Sequence, residues 1–184
     1  VGELETQNKS EHQLAKEVIG GLLNNGIDTI LNYKRTCINC CDFYNIFWIE
    51  KGQPFLHKLY FSFEDNRTHS LRIKLNSISI FEELNTNYFS LRNTSIKKNE
   101  YKTVSGTSSI IVDSHYCFSS IRIYTGRDSI FSSYMKDIDF NKNSGSTDEY
   151  GYPLPNLNYT ENINSKWFSL LSKIENEILS SSQT

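Results

Sequence analysis

Residues 43–63 read FYNIFWIEKGQPFLHKLYFSF. Aromatic and β-branched residues lie on both sides of Lys51-Gly52-Gln53-Pro54, a Gly/Pro turn signal, so the stretch predicts two strands folded into a hairpin. Downstream, Asp65-Asn66 supplies a second turn. His69 to Leu75 then alternates, with Leu71, Ile73 and Leu75 on one face and Arg72 and Lys74 on the other, as in a half-exposed strand. Further strands are expected at Ser108 to Val112 and at Tyr116 to Tyr124, joined by Asp113-Ser114-His115, with Ile121 and Ile123 sharing a face with Cys117. Ser129 to Ile138 fits either period, because Ile130, Phe131, Tyr134 and Met135 have helical spacing in a segment modest in β-branched residues.

Helical patterns bracket this strand-rich middle. Ser10 followed by Gln13 is a capping box, in which each side chain satisfies a backbone donor at a helix start. Leu14, Val18 and Leu22, with Ile19, Leu23, Ile27, Ile30 and Leu31 on the adjoining stripe, form one apolar side. Gly20, Gly21 and Asn24-Asn25-Gly26 divide that pattern into a long helix and a short one. A last helix is expected from Asn164 or Ser165, burying Trp167, Leu170, Leu171, Ile174 and Ile178. Between them, Ser77 to Leu84 predicts a short helix capped by Ser77, with Ile80, Phe81 and Leu84 on one side.

The expected fold is therefore α+β over residues 1–184 as a single domain. It has an N-terminal helix, a mainly antiparallel sheet of about five or six strands, a long loop and a C-terminal helix packed on the sheet. Both terminal helices are expected on one face. With 11 Tyr and 11 Phe in 184 residues, aromatic burial should supply much of the stabilisation.

Composition narrows the function classes. The longest apolar run, Ile46 to Ile49, is far shorter than the roughly 20 residues of a membrane-spanning helix. A net charge of −2 provides no cationic field for phosphate backbones, which argues against nucleic-acid binding. Acidic residues outnumber basic ones from Met135 onward. A first residue of Val fits removal of an N-terminal segment, a signal peptide included, and leaves the compartment open between cytoplasm and periplasm or secretion.

Cys37-Ile-Asn-Cys40 has a thiolate-pair spacing, and with His115 and Cys117 it could complete a Cys3His zinc site. The second pair lacks zinc-ribbon spacing and Cys41 is left over, so the adopted reading is cysteines buried as small apolar side chains. Asp113, His115 and Cys117 would stand about 7 Å apart in succession along a strand, too far for a hydrogen-bonded nucleophile, base and orienter. Glu50-Lys51 and Glu82-Glu83 contain no E-x-K tripeptide of a metal-dependent nuclease, and there is no phosphate loop, G-x-S-x-G elbow or H-E-x-x-H helix. His12, His57, His69 and His115 are scattered, with His12 and His69 expected at the surface. No catalytic residue, metal or cofactor is assigned.

Asn141 to Asn164 contains Pro153 and Pro155 with repeated Asn, Gly, Ser and Tyr, the composition of a long connection. Its candidate partner-binding residues are Asp148, Glu149, Tyr150, Tyr152, Leu154 and Tyr159. Tyrosines bring contact area at low rotamer entropy, prolines stiffen the backbone, and adjacent acids favour a basic protein partner. The equal alternative is a loop folded back on its own domain. The expected function is a non-enzymatic protein-binding module, such as an inhibitor or immunity-type protein that occludes a toxin or enzyme. The alternatives are a hydrolase or metal-dependent enzyme with a site near His115, and a secreted or lipid-tethered surface protein.

Overall fold

Lys51 and Gly52 both have positive φ, 51° and 76°, the backbone of a two-residue primed turn whose twist matches the strands it joins. That turn fixes the register Glu50↔Gln53 and Phe43↔Tyr60 between β3 (Asp42–Glu50) and β4 (Gln53–Ser62). The computed structural model describes residues 3–7, 9–37, 42–103, 105–110, 117–126 and 128–181. Around the hairpin, β1 (Glu3–Gln7), β2 (Thr29–Thr36), β5 (Arg67–Lys74), β8 (Phe118–Thr125) and β9 (Asp128–Tyr134) complete a seven-stranded sheet, ordered β1-β5-β4-β3-β2-β8-β9. Every neighbouring pair is antiparallel. The α+β architecture expected from the sequence is the one found. The edge strand β1 and the strand outcome for residues 128–134 are additions to it.

The terminal helices lie on opposite faces of this sheet, not on one. α1 (Glu11–Asn24) packs Leu14, Ala15 and Ile19 against Ile30, Ile46, Trp48 and Leu59. α5 (Lys166–Ser180) and α2 (Ser79–Asn93) cover Leu31, Phe47, Leu56, Ile121 and Ile123 with Trp167, Leu170, Ile174, Phe81 and Leu84. The cause sits in the opening hairpin. Tyr44 to Trp48 are consecutively buried, so both faces of the central strand are apolar and each requires its own cover.

α1 ends earlier than the apolar stripe implied. Gly26 adopts φ 76°, its N–H donates to the Leu23 carbonyl (3.0 Å) and the Ile27 N–H to the Leu22 carbonyl (3.0 Å), a Schellman ending. Ile30 and Leu31 therefore belong to β2 and point to opposite faces. The start is as expected: Gln13 N–H donates to Ser10 Oγ, and the Gln13 side chain accepts from Ser10 N–H. Ser165 caps α5 by accepting from the Phe168 N–H at 3.1 Å.

α2 runs on to Asn93, well past Leu84, because Tyr88 and Leu91 continue its buried stripe. Glu83 joins it to α5: Oε1 accepts from Ser169 Oγ (2.6 Å) and Asn87 Nδ2 (2.9 Å), and Oε2 pairs with Lys173 at 3.1 Å. The Ser169 bond, with Lys173 adding to it, holds the Glu83 carboxyl below its usual range against the opposing effect of burial. A depressed carboxyl contributes stability above its unfolded pKa and loses it as pH falls through the folded value. Urea midpoints measured between pH 6 and pH 3 should fall less steeply for Glu83→Gln than for the parent chain; parallel curves would refute the linkage.

The smaller elements lie late in the chain. β6 (Glu100–Lys102) and β7 (Ser108–Ile110) form a separate two-stranded sheet, so the strand expected from Ser108 is not in the main sheet. Asn141 to Asn164 is also more than a loop. It contains β10 (Asn143–Thr147) paired with β11 (Pro153–Pro155), and α4 (Tyr159–Ile163), and it follows the single-turn α3 (Lys136–Asp139). Among the described residues, no helix is long and apolar enough to cross a membrane.

Candidate functional site

The β10–β11 connection turns on Asp148. Its Oδ1 accepts from the N–H groups of Tyr150 (2.9 Å) and Tyr152 (2.8 Å), and its backbone N–H donates to the Tyr152 carbonyl at 2.9 Å. Gly151, with φ 85°, closes the turn by donating to the Asp148 carbonyl. Asp148 is thus a turn-forming carboxylate, and the exposed acid at the tip is Glu149. Tyr150 and Tyr152 project into solvent, 78% and 69% exposed.

The base of this hairpin is anchored by buried amides. Asn156 Nδ2 donates to the carbonyls of Asn141 (2.9 Å) and Asp139 (3.3 Å), and its Oδ1 accepts from the Asn158 N–H (3.0 Å). Asn162 bonds both backbone groups of Lys97, through Oδ1 at 2.9 Å and Nδ2 at 2.8 Å. Asp139, fully buried, accepts from the backbone N–H groups of Asn99 (2.8 Å) and Met135 (2.7 Å). Side-chain amides here do the work that strand ladders do elsewhere, satisfying backbone groups that have no regular partner.

The six sequence candidates separate accordingly. Asp148, Glu149, Tyr150 and Tyr152 share the tip, while Leu154 sits half-buried in β11. Tyr159, at the start of α4, instead lines a cleft of about 570 Å³ with Phe140, Phe168, Leu171 and Glu175. Leu157, 45% exposed beyond β11, was not singled out in the sequence, because nothing local distinguishes it from a loop residue that folds inward.

The zinc reading is overturned at two of its four positions. Cys37 and Cys117 form a disulfide, so neither offers a thiolate to a metal nor behaves as a free buried cysteine. The register Thr36↔Phe118 brings the two opposite each other one residue beyond the β2–β8 ladder. Cys40, Cys41, Asp113 and His115 lie outside the described residues. Among the described residues, no three His, Cys, Asp or Glu converge as a metal site.

One polar cluster was not anticipated. His12 Nδ1 lies 3.0 Å from Tyr44 Oη, and Lys34 pairs with Asp42 at 2.6 Å while its ammonium sits over the Tyr44 ring. Burial raises the Tyr44 phenol above its ordinary value; Lys34 is also raised, its desolvation outweighed by bonds to Asp42 and Tyr44. Both shifts oppose activation, since a base or nucleophile needs a lowered lysine or phenol. His69, expected at the surface, is half-buried, stacked on Tyr60 and 2.8 Å from Asp65.

No family model, no curated protein and no solved structure matches this chain. The functional reading therefore rests on the geometry alone.

Proposed function

We propose that this protein is a protein-binding module that presents the β10–β11 tip to a protein partner, in the manner of an inhibitor or immunity-type protein that blocks its target by covering it. The observation that carries the reading is the pair Tyr150 and Tyr152, exposed on a turn that Asp148 locks from within and buried asparagines hold from below. A rigid aromatic tip loses little entropy on docking, which is the property of binding hot spots. Glu149 gives the tip a negative charge suited to a basic partner. The Cys37–Cys117 bridge further supports maturation in an oxidising compartment, in keeping with a periplasmic or secreted protein.

Photo-crosslinking tests this directly. Benzoylphenylalanine placed at 150 or 152 should yield one discrete adduct with one protein, and the same group at the exposed Phe89 of α2 should not. With that partner purified, Tyr150→Ala and Tyr152→Ala should each weaken binding by about 2 kcal/mol, roughly thirtyfold in Kd. Equal crosslinking from position 89, or an unchanged Kd in both variants, would refute the assignment.

A further inference from the structure

We propose that a groove at the C-terminal end of α5 is a binding site for a small organic anion with an apolar body. The groove, about 670 Å³, lies on the α5 side of the sheet, remote in sequence from the β10–β11 tip. Its floor is two adjacent cross-strand rows. One aligns Lys58, Asn45 and Tyr33 and the next aligns Tyr60, Phe43 and Arg35, drawn from β4, β3 and β2 in register. Ile178 and Leu179 of α5 form its wall, and Lys58 Nζ donates to the Ile178 carbonyl at 3.1 Å.

Three features point to the ligand. Asn45 is only 8% exposed and lines the groove; its carboxamide makes no hydrogen bond among the described residues and is not sealed off, so its polar end is open to the groove. A ligand oxygen or N–H entering the groove would take the place of the water that meets this amide. Arg35 is exposed on the floor and makes no ion pair among the described residues; the nearby Asp42 projects from the other face of β3 and is held by Lys34. The lining carries Arg35, Lys58 and Lys136 against one carboxylate, Glu175, which pairs with Lys136 at 2.7 Å. Cationic and amide donors thus converge beside Phe43, Tyr60, Leu71 and Leu179 in a recess within the roughly 300–1,000 Å³ range of small-molecule sites. A carboxylate, phosphate or sulfonate on an aliphatic or flat body satisfies both halves; a neutral apolar molecule leaves the donors unanswered.

The test uses the full chain with anilinonaphthalene sulfonate as fluorescent reporter and a matched pair of competitors, dodecanoate and dodecanol, below their aggregation limits. One reporter should bind per chain, and dodecanoate should displace it at least about tenfold better than dodecanol. Arg35→Gln should remove most of that difference, Phe43→Ala should weaken both competitors, and Phe89→Ala on α2 should change neither. The Asn45 carboxamide NMR signals should shift as dodecanoate is added. Equal displacement by acid and alcohol, an unchanged preference in Arg35→Gln, or an unmoved Asn45 amide would each overturn the site. None of these readouts depends on the Tyr150–Tyr152 tip, so the two proposals stand or fall separately.

Discussion

Asp139→Ala is expected to lower the unfolding free energy by roughly 3–5 kcal/mol. The carboxylate is fully buried, and its two oxygens accept separately from Asn99 N–H at 2.8 Å and Met135 N–H at 2.7 Å. Alanine removes both acceptors at once. Each buried amide left behind costs about 1–3 kcal/mol, and the Lys98 ammonium, 3.6 Å away, loses its counter-charge. Asp139→Asn should cost less, because one oxygen remains, but its NH2 then faces a backbone N–H and the order of stability becomes Asp, Asn, Ala. Urea unfolding followed by the emission of Trp48 and Trp167, both buried, gives the measurement. A loss under about 1 kcal/mol for the alanine variant would mean that water takes over the carboxylate's role. The change should also reach the proposed binding tip. The Asp139 carbonyl receives Asn162 Nδ2 at 2.9 Å and Asn156 Nδ2 at 3.3 Å, so loosening this residue loosens the base of the hairpin that carries Tyr150 and Tyr152.

That dependence explains which parts of the molecule can be read from the sequence. The hairpin of residues 43–63, the Ser10–Gln13 cap and the Trp167–Ile174 stripe each announce themselves through local chemistry at a fixed period, and each is found. Residues 141–164 carry no period, because their order comes from asparagine side chains bonding backbone groups far away, such as Asn162 to Lys97 and Asn158 to Lys98. Asn24-Asn25-Gly26 is legible as an interruption, but only the Ile27–Leu22 and Gly26–Leu23 bonds reveal that it ends the helix. From the sequence both terminal helices are expected on one face; the consecutive burial of Tyr44 to Trp48 in β3, with α1 on one side and α5 on the other, is what corrects this.

At the tip, tyrosine content exposed the candidate surface, while the role of Asp148 depended on which donor its carboxylate meets. The groove was invisible for a different reason. Arg35, Phe43 and Tyr60 are ordinary residues of three separate strands, and they become neighbours only through the register of the sheet.

The same register accounts for the last large effect. Cys37 and Cys117 are 80 residues apart in sequence, and replacing both with Ser should cost about 2–5 kcal/mol, the chain-entropy value for a loop of this length being about 4.5 kcal/mol. β2 and β8 already pair continuously from Thr29↔Thr125 to Thr36↔Phe118, so the bridge adds little to the folded state and acts mainly by restricting the unfolded chain. Its effect should therefore appear in the folding rate. Joining β2 to β8 closes the segment that contains β3 to β7 and α2, a non-local step whose entropy the bridge has already removed. Stopped-flow chevrons of the oxidised chain and the double-Ser variant should differ in the refolding limb and nearly superimpose in the unfolding limb. A change confined to the unfolding limb would place β2–β8 pairing after the transition state, and equal stabilities of the two chains would remove the bridge from the fold's energetics altogether.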